Sequence, residues 1–176
     1  MKKLLTTLCL VLLVSCSNEV PSDKLVERGG ITYEVNSTTP FTGSSVGYHD
    51  NGQLQVRGNY KDGKQDGSIE GYYENSQLNF RQNYKDGTEE GLQEFFFENG
   101  QSEYRTNYKN GEKDGLYEEH YENGQLMGRG NFKDGESHGL FESYHENGQL
   151  ETRGNFKNGE LDGLGEWFDE NGELIE

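Results

Sequence analysis

The sequence is poor in apolar residues, which make up 30% of its 176 positions, against about 45–50% in typical globular domains. Low hydrophobicity together with a net charge of -16 is typical of disordered chains. Two features argue against disorder: aromatic residues make up 12% of the chain, and its glycines recur at fixed intervals. A regular repeat can be ordered around a small core, because each unit packs on its neighbours. The composition therefore favours a repeat protein.

Basic residues are scarce, with 16 Lys and Arg against 32 Asp and Glu. Because binding to a phosphate backbone requires a basic surface, we expect no nucleic-acid partner. Direct docking onto anionic lipid headgroups is disfavoured for the same reason. The charge favours a soluble domain that binds a basic or neutral partner.

Catalytic motifs are missing from the sequence: it has no Ser-His-Asp order, G-x-S-x-G, H-E-x-x-H or phosphate-binding loop. His49 and His145 occupy repeat positions where other units carry Tyr73, Phe97 and Tyr121, which indicates a packing role. We therefore predict a protein that is not an enzyme, with no catalytic residues and no cofactor. A hydrolase with paired carboxylates is a less favoured alternative, since it needs one distinctive pair of acids and the acids here recur in every unit.

Only two cysteines are present, Cys9 and Cys16, and both lie in a segment typical of a signal peptide. Two lysines precede an apolar run over residues 4–14, which is shorter than the roughly 20 residues of a membrane span and suits a signal peptide. The run ends in the letters LVSC. This ending resembles the bacterial lipobox, which implies a lipidated Cys16 sulfur whose acyl chains anchor the protein in a membrane. A plain secretory signal is the alternative.

The lipobox divides the chain into three parts. We assign residues 1–16 to the signal peptide ending at the lipidated cysteine, 17–27 to a flexible polar tether and 28–176 to a repeat domain. Both cysteines are then used or removed, so the mature chain has no disulfide and no thiolate metal site. Ser17 follows the cysteine, and by resemblance to Gram-negative sorting this favours the outer membrane of a bacterial cell envelope.

A period of 24 residues dominates the remainder of the chain. A first series of turns carries Asn-Gly, or Asn-Ser in one unit, at residues 51–52, 75–76, 99–100, 123–124, 147–148 and 171–172. A second series carries Asp-Gly or Asn-Gly at residues 62–63, 86–87, 110–111, 134–135 and 158–159. Asn or Asp followed by Gly tolerates the positive φ angles of a type I′ hairpin turn. Each unit is therefore predicted to be two strands with two tight turns, the turn at Ser76 being the least favourable.

The same spacing predicts the strand register. A two-residue turn at residues 123–124 places Glu118 opposite Arg129 and Tyr121 opposite Leu126. Repetition extends this to a row of charged pairs: Glu70–Arg81, Glu94–Arg105, Glu118–Arg129 and Glu142–Arg153. In this register Arg57 lacks a glutamate and Glu166 lacks an arginine. Such pairs contribute roughly 0.2–1 kcal/mol each and hold the register. We interpret the row as structural, with a catalytic or ligand-binding row of carboxylates as the alternative.

Aromatic residues occur on both faces of the predicted sheet. The face of the charged pairs carries Tyr72, Phe96, Tyr144 and Phe168, and the other face carries Tyr60, Tyr84 and Tyr108. We predict these seven as candidates for a binding surface, and expect Trp167 to cap the end of the array. Neither face has the aliphatic bulk to be buried against a second sheet. The predicted fold class is therefore all-β: a single-layer, strongly twisted antiparallel meander of about twelve strands.

The repeat GLYEEHYENGQLMGRGNFKDGESH at residues 115–138, and the letters PFTG at residues 40–43, resemble the MORN-repeat variant of bacterial proteins. The resemblance covers residues 28–176. Proteins of this type are often identified as antitoxins of toxin–antitoxin systems, of the YwqK type, which implies neutralisation of a partner by binding. MORN repeats elsewhere are associated with scaffolding near membranes.

Together these features predict a lipid-anchored, non-enzymatic scaffold that binds a protein partner at the cell envelope, with Cys16 as its link to the membrane. An antitoxin or immunity protein that neutralises a toxin by binding is the alternative. We predict no metal site. Calcium at acidic turns such as the one with Asp62 and Asp66 stays an alternative, although the spacing matches no EF-hand loop.

Overall fold

A computed structural model describes residues 19–175; the predicted signal peptide and Cys16 lie outside them. The described chain is almost entirely β-structure, with 62% of residues in strands. The strands are β1 (Val20–Pro21), β2 (Leu25–Arg28), β3 (Ile31–Glu34), β4 (Gly43–Tyr48), β5 (Leu54–Lys61), β6 (Lys64–Tyr72), β7 (Leu78–Lys85), β8 (Thr88–Glu89), β9 (Gly91–Phe96), β10 (Ser102–Lys109), β11 (Glu112–His120), β12 (Leu126–Lys133), β13 (Glu136–Ser137), β14 (Gly139–Tyr144), β15 (Leu150–Lys157), β16 (Glu160–Leu161) and β17 (Glu166–Trp167). A 3-10 turn occupies Ser22–Lys24.

Fifteen strands form one open, twisted sheet, and β2 and β3 form a separate hairpin. From β4 onwards, each strand pairs antiparallel with its neighbours along the chain. Strands β8 and β9 both pair with β7, β13 and β14 both pair with β12, and β16 and β17 both pair with β15. Each of these three couples is therefore one strand with a short interruption. The prediction of an open, twisted sheet of repeated hairpins is confirmed.

The N-terminal segment covers the first edge of the sheet. Strand β1 pairs in parallel with β4, and the hairpin β2–β3 contacts the first turn of the second series, where the Thr32 amide donates to the Gly63 carbonyl over 2.8 Å. The sequence predicted a flexible tether over residues 17–27. Residues 17 and 18 lie outside the described part of the chain. In the remainder of this range Val20–Pro21 pair with the otherwise open edge of β4, Ser22–Lys24 form the 3-10 turn, and residues 25–27 pair with β3. Covering an edge strand in this way removes a site for unwanted strand pairing.

The turns of the second series are type I′, as predicted. Asp62, for example, has a φ of 50° and Gly63 a φ of 79°. The other four turns of this series repeat the pattern, with φ angles of 49–52° at Asp or Asn and 79–85° at Gly.

The turns of the first series differ from the prediction. Only the residue after Asn has a positive φ, for example 83° at Gly124, and the Gly124 amide donates to the Tyr121 carbonyl over 2.8 Å. This is the longer hairpin loop in which a type I turn is followed by one left-handed residue and a bulge. The bulge shifts the register by one next to the turn, so that Leu126 lies opposite His120 and not Tyr121. Ser76 adopts the left-handed conformation, with a φ of 67°, which a serine disfavours.

Little of the sheet is fully buried. Among the described residues the buried hydrophobic side chains are Phe41, Val46 and Ile69, and all three lie in the N-terminal half. Elsewhere, order depends on partly buried rings, on backbone pairing and on contacts between repeats.

Candidate binding surface

One face of the sheet, here called the aromatic face, carries a continuous row of rings. Neighbouring ring centroids are 5.3–6.2 Å apart, within the range of favourable aromatic pairs. The aromatic row consists of Phe80, Phe95, Tyr104, Tyr117, Phe132, Phe141 and Phe156. Strands β7 to β15 therefore share one apolar stripe on this face.

Glycines allow parts of this row to lie against the backbone. A Cβ atom at Gly130 would lie 2.3 Å from the Phe141 ring, and one at Gly71 would lie 2.1 Å from the Phe80 ring. Both distances are far inside van der Waals contact. Gly130 thus leaves room for the Phe141 ring, whereas a Cβ at Gly128 would have only ordinary contacts, the nearest 3.6 Å away.

The opposite face carries a charged ladder in which Arg and Glu alternate on successive strands. Its members are Arg57, Glu70, Arg81, Glu94, Arg105, Glu118, Arg129, Glu142, Arg153 and Glu166. The predicted cross-strand register of the four Glu–Arg pairs is the observed one. The side chains mostly turn to the following strand, however: Arg105 contacts Glu118, Arg129 contacts Glu142 at 2.6 Å, and Arg153 contacts Glu166. Arg81 contacts both neighbours, Glu70 at 3.0 Å and Glu94 at 3.3 Å.

Two predicted gaps in the ladder do not exist. Arg57 lies beside Glu70 in the strand register, and its guanidinium is 2.9 Å from Glu19 in the N-terminal segment. Glu166 is paired with Arg153. The prediction failed because it considered only strand pairs joined by turns of the first series, whereas every inner strand has two neighbours.

The hydrogen bonds of the ladder shift its pKa values. Burial alone would raise the pKa of Glu70, but hydrogen bonds from Tyr72 and Arg81 reverse this and lower it. Glu166 has a lowered pKa because Arg153 donates a hydrogen bond to it. Carboxylates held as the charged form by arginines are poor candidates for general acids, which favours the structural interpretation of the row.

The predicted aromatics on the ladder face pack against the ladder. The Tyr72 hydroxyl donates to Glu70 over 2.8 Å, and the Tyr144 hydroxyl donates to Glu142 over 3.0 Å. The Arg153 guanidinium lies 5.9 Å from the centre of the Phe168 ring. Phe96, the fourth, ends β9 opposite Ser102. On the aromatic face, Tyr60 packs against Phe41 at 5.7 Å, and burial raises the pKa values of Tyr84 and Tyr108. A binding role for these seven residues stays a prediction.

The first-series turns are joined by side-chain hydrogen bonds between successive repeats. In five turns the Asn amide donates to a backbone carbonyl 23 residues further on, over 2.8–3.5 Å; the donors are Asn51, Asn75, Asn99, Asn123 and Asn147. The Asn carbonyl oxygen also accepts a bond from the amide two residues on. Asp could accept but could not donate. This explains why the first series carries only Asn and the second tolerates Asp.

A second inter-repeat bond involves the residue that begins the turn, in four of these five turns. The hydroxyls of Tyr73 and Tyr121 donate to the carbonyls of Phe96 and Tyr144, over 2.7 and 2.8 Å. His49 and His145 make the equivalent contact through Nε2, over 2.8 and 2.9 Å. These histidines therefore replace tyrosine as hydrogen-bond donors as well as in packing.

A cavity of about 420 Å³ opens on the aromatic face between β11 and β17. The residues that shape it are Tyr117, Glu119, Gly128, Phe141, Glu151 and Trp167. Gly128 lies opposite both Glu119 and Ser143, at a repeat position filled by Val56, Phe80, Tyr104 and Thr152 in the other units. The missing side chain leaves this position of the cavity without the ring that Tyr104 provides one repeat earlier.

Two carboxylates that line this cavity, Glu119 and Glu151, lie outside the charged ladder; the ladder residues Glu142 and Arg153 also line it and pair with Arg129 and Glu166. The Tyr117 hydroxyl donates to Glu119, and the Ser143 hydroxyl donates to Glu151 over 2.9 Å. Burial, and then the contact with Glu119, raise the pKa of Tyr117. Within residues 19–175 neither carboxylate forms a salt bridge, whereas the ladder glutamates lie beside arginines.

Neither acid was predicted from the sequence. Trp167, which was expected to cap the array, lies in the last strand and also lines the cavity. Glu119 was detectable, because the equivalent positions carry Gly47, Gly71, Phe95, Ser143 and Trp167, none of them an acid. Glu151 was not, because a strict two-residue alternation assigns it to the ladder face. It is the bulge residue of β15, between the pairs Ser143–Thr152 and Tyr144–Leu150, and a bulge redirects side chains.

No group of three or more His, Cys, Asp or Glu side chains in the described part of the chain is arranged to hold a metal ion. The same residues include no helix with the length and apolarity needed to cross a membrane.

The repeat unit also identifies the family. The MORN repeat variant matches six times, at residues 41–62, 65–86, 89–110, 113–134, 137–158 and 161–176. The chain belongs to the MORN repeat variant family. MORN repeats are non-catalytic scaffold motifs that generally bind proteins or membranes. A comparison with curated proteins gave no match.

Proposed function

We propose that this MORN-repeat chain is a non-enzymatic scaffold, anchored by a lipid on Cys16 in the cell envelope, that binds a protein partner through its aromatic face. The observation that carries the proposal is the aromatic row. No second sheet or helix covers it among the described residues, and large apolar side chains beside it, Met127, Leu161 and Trp167, are 37–44% exposed. Exposed apolar patches of this kind mark interaction sites.

The opposite face is less suited to this role. Its arginines and glutamates already pair with each other, and Tyr72 and Tyr144 donate to the same carboxylates. A partner on this face would have to compete with these bonds. The net charge of -16 also disfavours direct contact with anionic lipid, which favours a protein partner. The antitoxin interpretation stays a prediction.

A matched pair of substitutions tests which face binds. Leu161 on the aromatic face and Leu140 on the ladder face are 44% and 45% exposed. We expect Leu161→Lys to abolish chemical cross-linking of the anchored protein to its envelope partner, because a charge would be desolvated in the interface. Leu140→Lys should leave it intact. Equal cross-linking by both variants, with unchanged circular dichroism, would contradict binding through the aromatic face.

The anchor is tested separately. Cys16→Ala removes the thiol that would carry the diacylglyceryl group, so we expect the protein to move from the membrane fraction to the soluble fraction. The test is fractionation with an antibody against the repeat domain, and Cys9→Ala is the control. Persistent membrane association of Cys16→Ala would rule out the lipid anchor.

A further inference from the structure

We propose that the cavity between Tyr117 and Trp167 binds an arginine side chain presented by the protein partner. This inference rests on the proposed function, because it names the chemistry by which the same face recognises its partner. It depends on the cavity's shape, its rings and its two acids.

The lining of the cavity differs from that of equivalent places in the array. Gly128 provides no side chain where Tyr104, one repeat earlier, packs between Phe95 and Tyr117 at 5.6 Å from each ring. The volume of about 420 Å³ lies within the range of roughly 300–1,000 Å³ for ligand sites. A pocket of about 450 Å³ lies three repeats earlier, but it has Val56 at the position of Gly128 and Asn79 at that of Glu151. The acids beside the rings therefore distinguish this cavity, and its size does not.

The acids outside the ladder favour a cation, because the other charged lining residues, Glu142 and Arg153, already pair with Arg129 and Glu166. Glu119 and Glu151 are each oriented by one hydroxyl, that of Tyr117 and that of Ser143. A carboxylate can accept several hydrogen bonds, so both retain acceptor capacity towards the cavity. A basic residue with a planar, multiply donating head and an apolar stem matches acids set among rings.

The chain itself shows that this face holds cations over rings. The Lys113 ammonium lies 5.5 Å from the centre of the Tyr104 ring, 5.7 Å from that of Tyr117 and 5.0 Å from that of Phe132, within the distance of a cation–π interaction. Two repeats later the equivalent position is Leu161, which lines the cavity. The rings there have acids beside them and an open place for a cation.

The single tryptophan of the chain makes occupancy measurable. Trp167 lines the cavity and is 40% exposed, so a ligand should change its fluorescence. The probe is the tripeptide acetyl-Ala-Arg-Ala-amide, titrated into the protein. We expect saturable binding with a Kd on the order of 1 mM or below. The peptide with citrulline in place of arginine should bind at least about fivefold more weakly, because it lacks the charge.

Substitutions separate the shape from the charge. Gly128→Tyr should abolish binding, because it restores the ring present at Tyr104, and the ordinary contacts around Gly128 leave room for the new side chain. Glu119→Gln and Glu151→Gln should each weaken binding about fivefold or more. Glu103→Gln is the matched control: Glu103 occupies the position of Glu151 two repeats earlier and lies outside the cavity.

The proposal would be overturned if Trp167 fluorescence showed no saturable change up to about 10 mM arginine peptide. Equal affinity for the citrulline peptide, or undiminished binding by a folded Gly128→Tyr variant, would overturn it as well. If these occur while Leu161→Lys still prevents cross-linking, the arginine site is wrong and binding through the aromatic face stands. If Leu161→Lys has no effect on cross-linking either, both proposals fail.

Discussion

Single side chains at the first-series turns join each repeat to the next. Asn99 is typical: its amide donates to the Glu122 carbonyl over 2.9 Å while its carbonyl oxygen accepts from the Gln101 amide. Tyr73 and Tyr121 add a second bond from the residue that begins the turn. Phe97 occupies the same repeat position without a hydroxyl. One junction of the array is therefore short of a hydrogen bond that its neighbours have.

Phe97→Tyr should stabilise the protein, because the new hydroxyl can donate to the His120 carbonyl, 23 residues on, as Tyr73 does to Phe96. We expect the free energy of unfolding to rise by about 0.5–1.5 kcal/mol, the net contribution of one hydrogen bond. Urea denaturation followed by circular dichroism measures the change.

The reverse substitution is the control. Tyr121→Phe removes the bond to the Tyr144 carbonyl and should lower stability by a similar amount. A destabilising Phe97→Tyr would show that the position at residue 97 cannot accommodate the hydroxyl, and would contradict the equivalence of the repeats.

At the scale of the strands, the ladder couples every strand to both neighbours. Arg81 contacts Glu70 behind it and Glu94 ahead of it, so the charges form a row and not isolated pairs. Each arginine is 42–50% exposed, so solvent weakens each bond. Arg57 belongs to this row as well, since it is paired with Glu19.

Glu70→Gln should cost stability at neutral pH and less in acid. The pKa of Glu70 is lowered in the folded protein, so its stabilisation is present above its unfolded pKa of about 4.3 and is lost as the pH falls through the folded pKa. We expect a loss of about 0.5–1 kcal/mol at pH 7 that shrinks towards zero near pH 3.

Urea denaturation at both pH values measures this difference, with Glu98→Gln, an exposed turn position, as the control. A difference between wild type and Glu70→Gln that is the same at pH 7 and pH 3 would show that its charge does not contribute.

The sequence predicts the strands and their register well, because the period of 24 residues fixes the turns and a one-residue slip would move every side chain to the other face. It does not distinguish the two turn types, since Asn-Gly suits both. The difference arises from a contact 23 residues away, such as that of Asn99 with the Glu122 carbonyl. A strict alternation of faces also cannot predict the bulges next to these turns, and so it assigns Glu151 to the wrong face. The tether was predicted from composition alone, which does not reveal the pairing of Val20 and Pro21 with β4.

Across the whole molecule, each repeat contacts only its neighbours. A segment of 24 residues can therefore be removed as one unit. Deleting residues 115–138 would join Asp114 to Gly139, which preserves the alternation of turn types and places Glu142 where Glu118 was beside Arg105. We expect a folded protein with a β-sheet circular dichroism spectrum and a melting temperature lowered by only a few degrees, since one set of neighbour contacts is lost.

The control deletes half a unit, residues 115–126, which would place two turns of the same series in succession and reverse the strands that follow. This variant should lose cooperative unfolding. A collapsed spectrum for the full-unit deletion would contradict the modular arrangement.

The pairing of strands only with their chain neighbours also bears on how fast the protein folds. Apart from the parallel contact of β1 with β4, pairing in the large sheet joins segments separated by one turn. Proteins dominated by non-local β pairing fold slowly, because the entropy of closing long loops is lost before the stabilising contacts form. Here each hairpin closes a loop of a few residues and then offers its free edge to the next strand. This β-sheet therefore has the low contact order usually associated with helical bundles, and it can assemble progressively from any hairpin outwards.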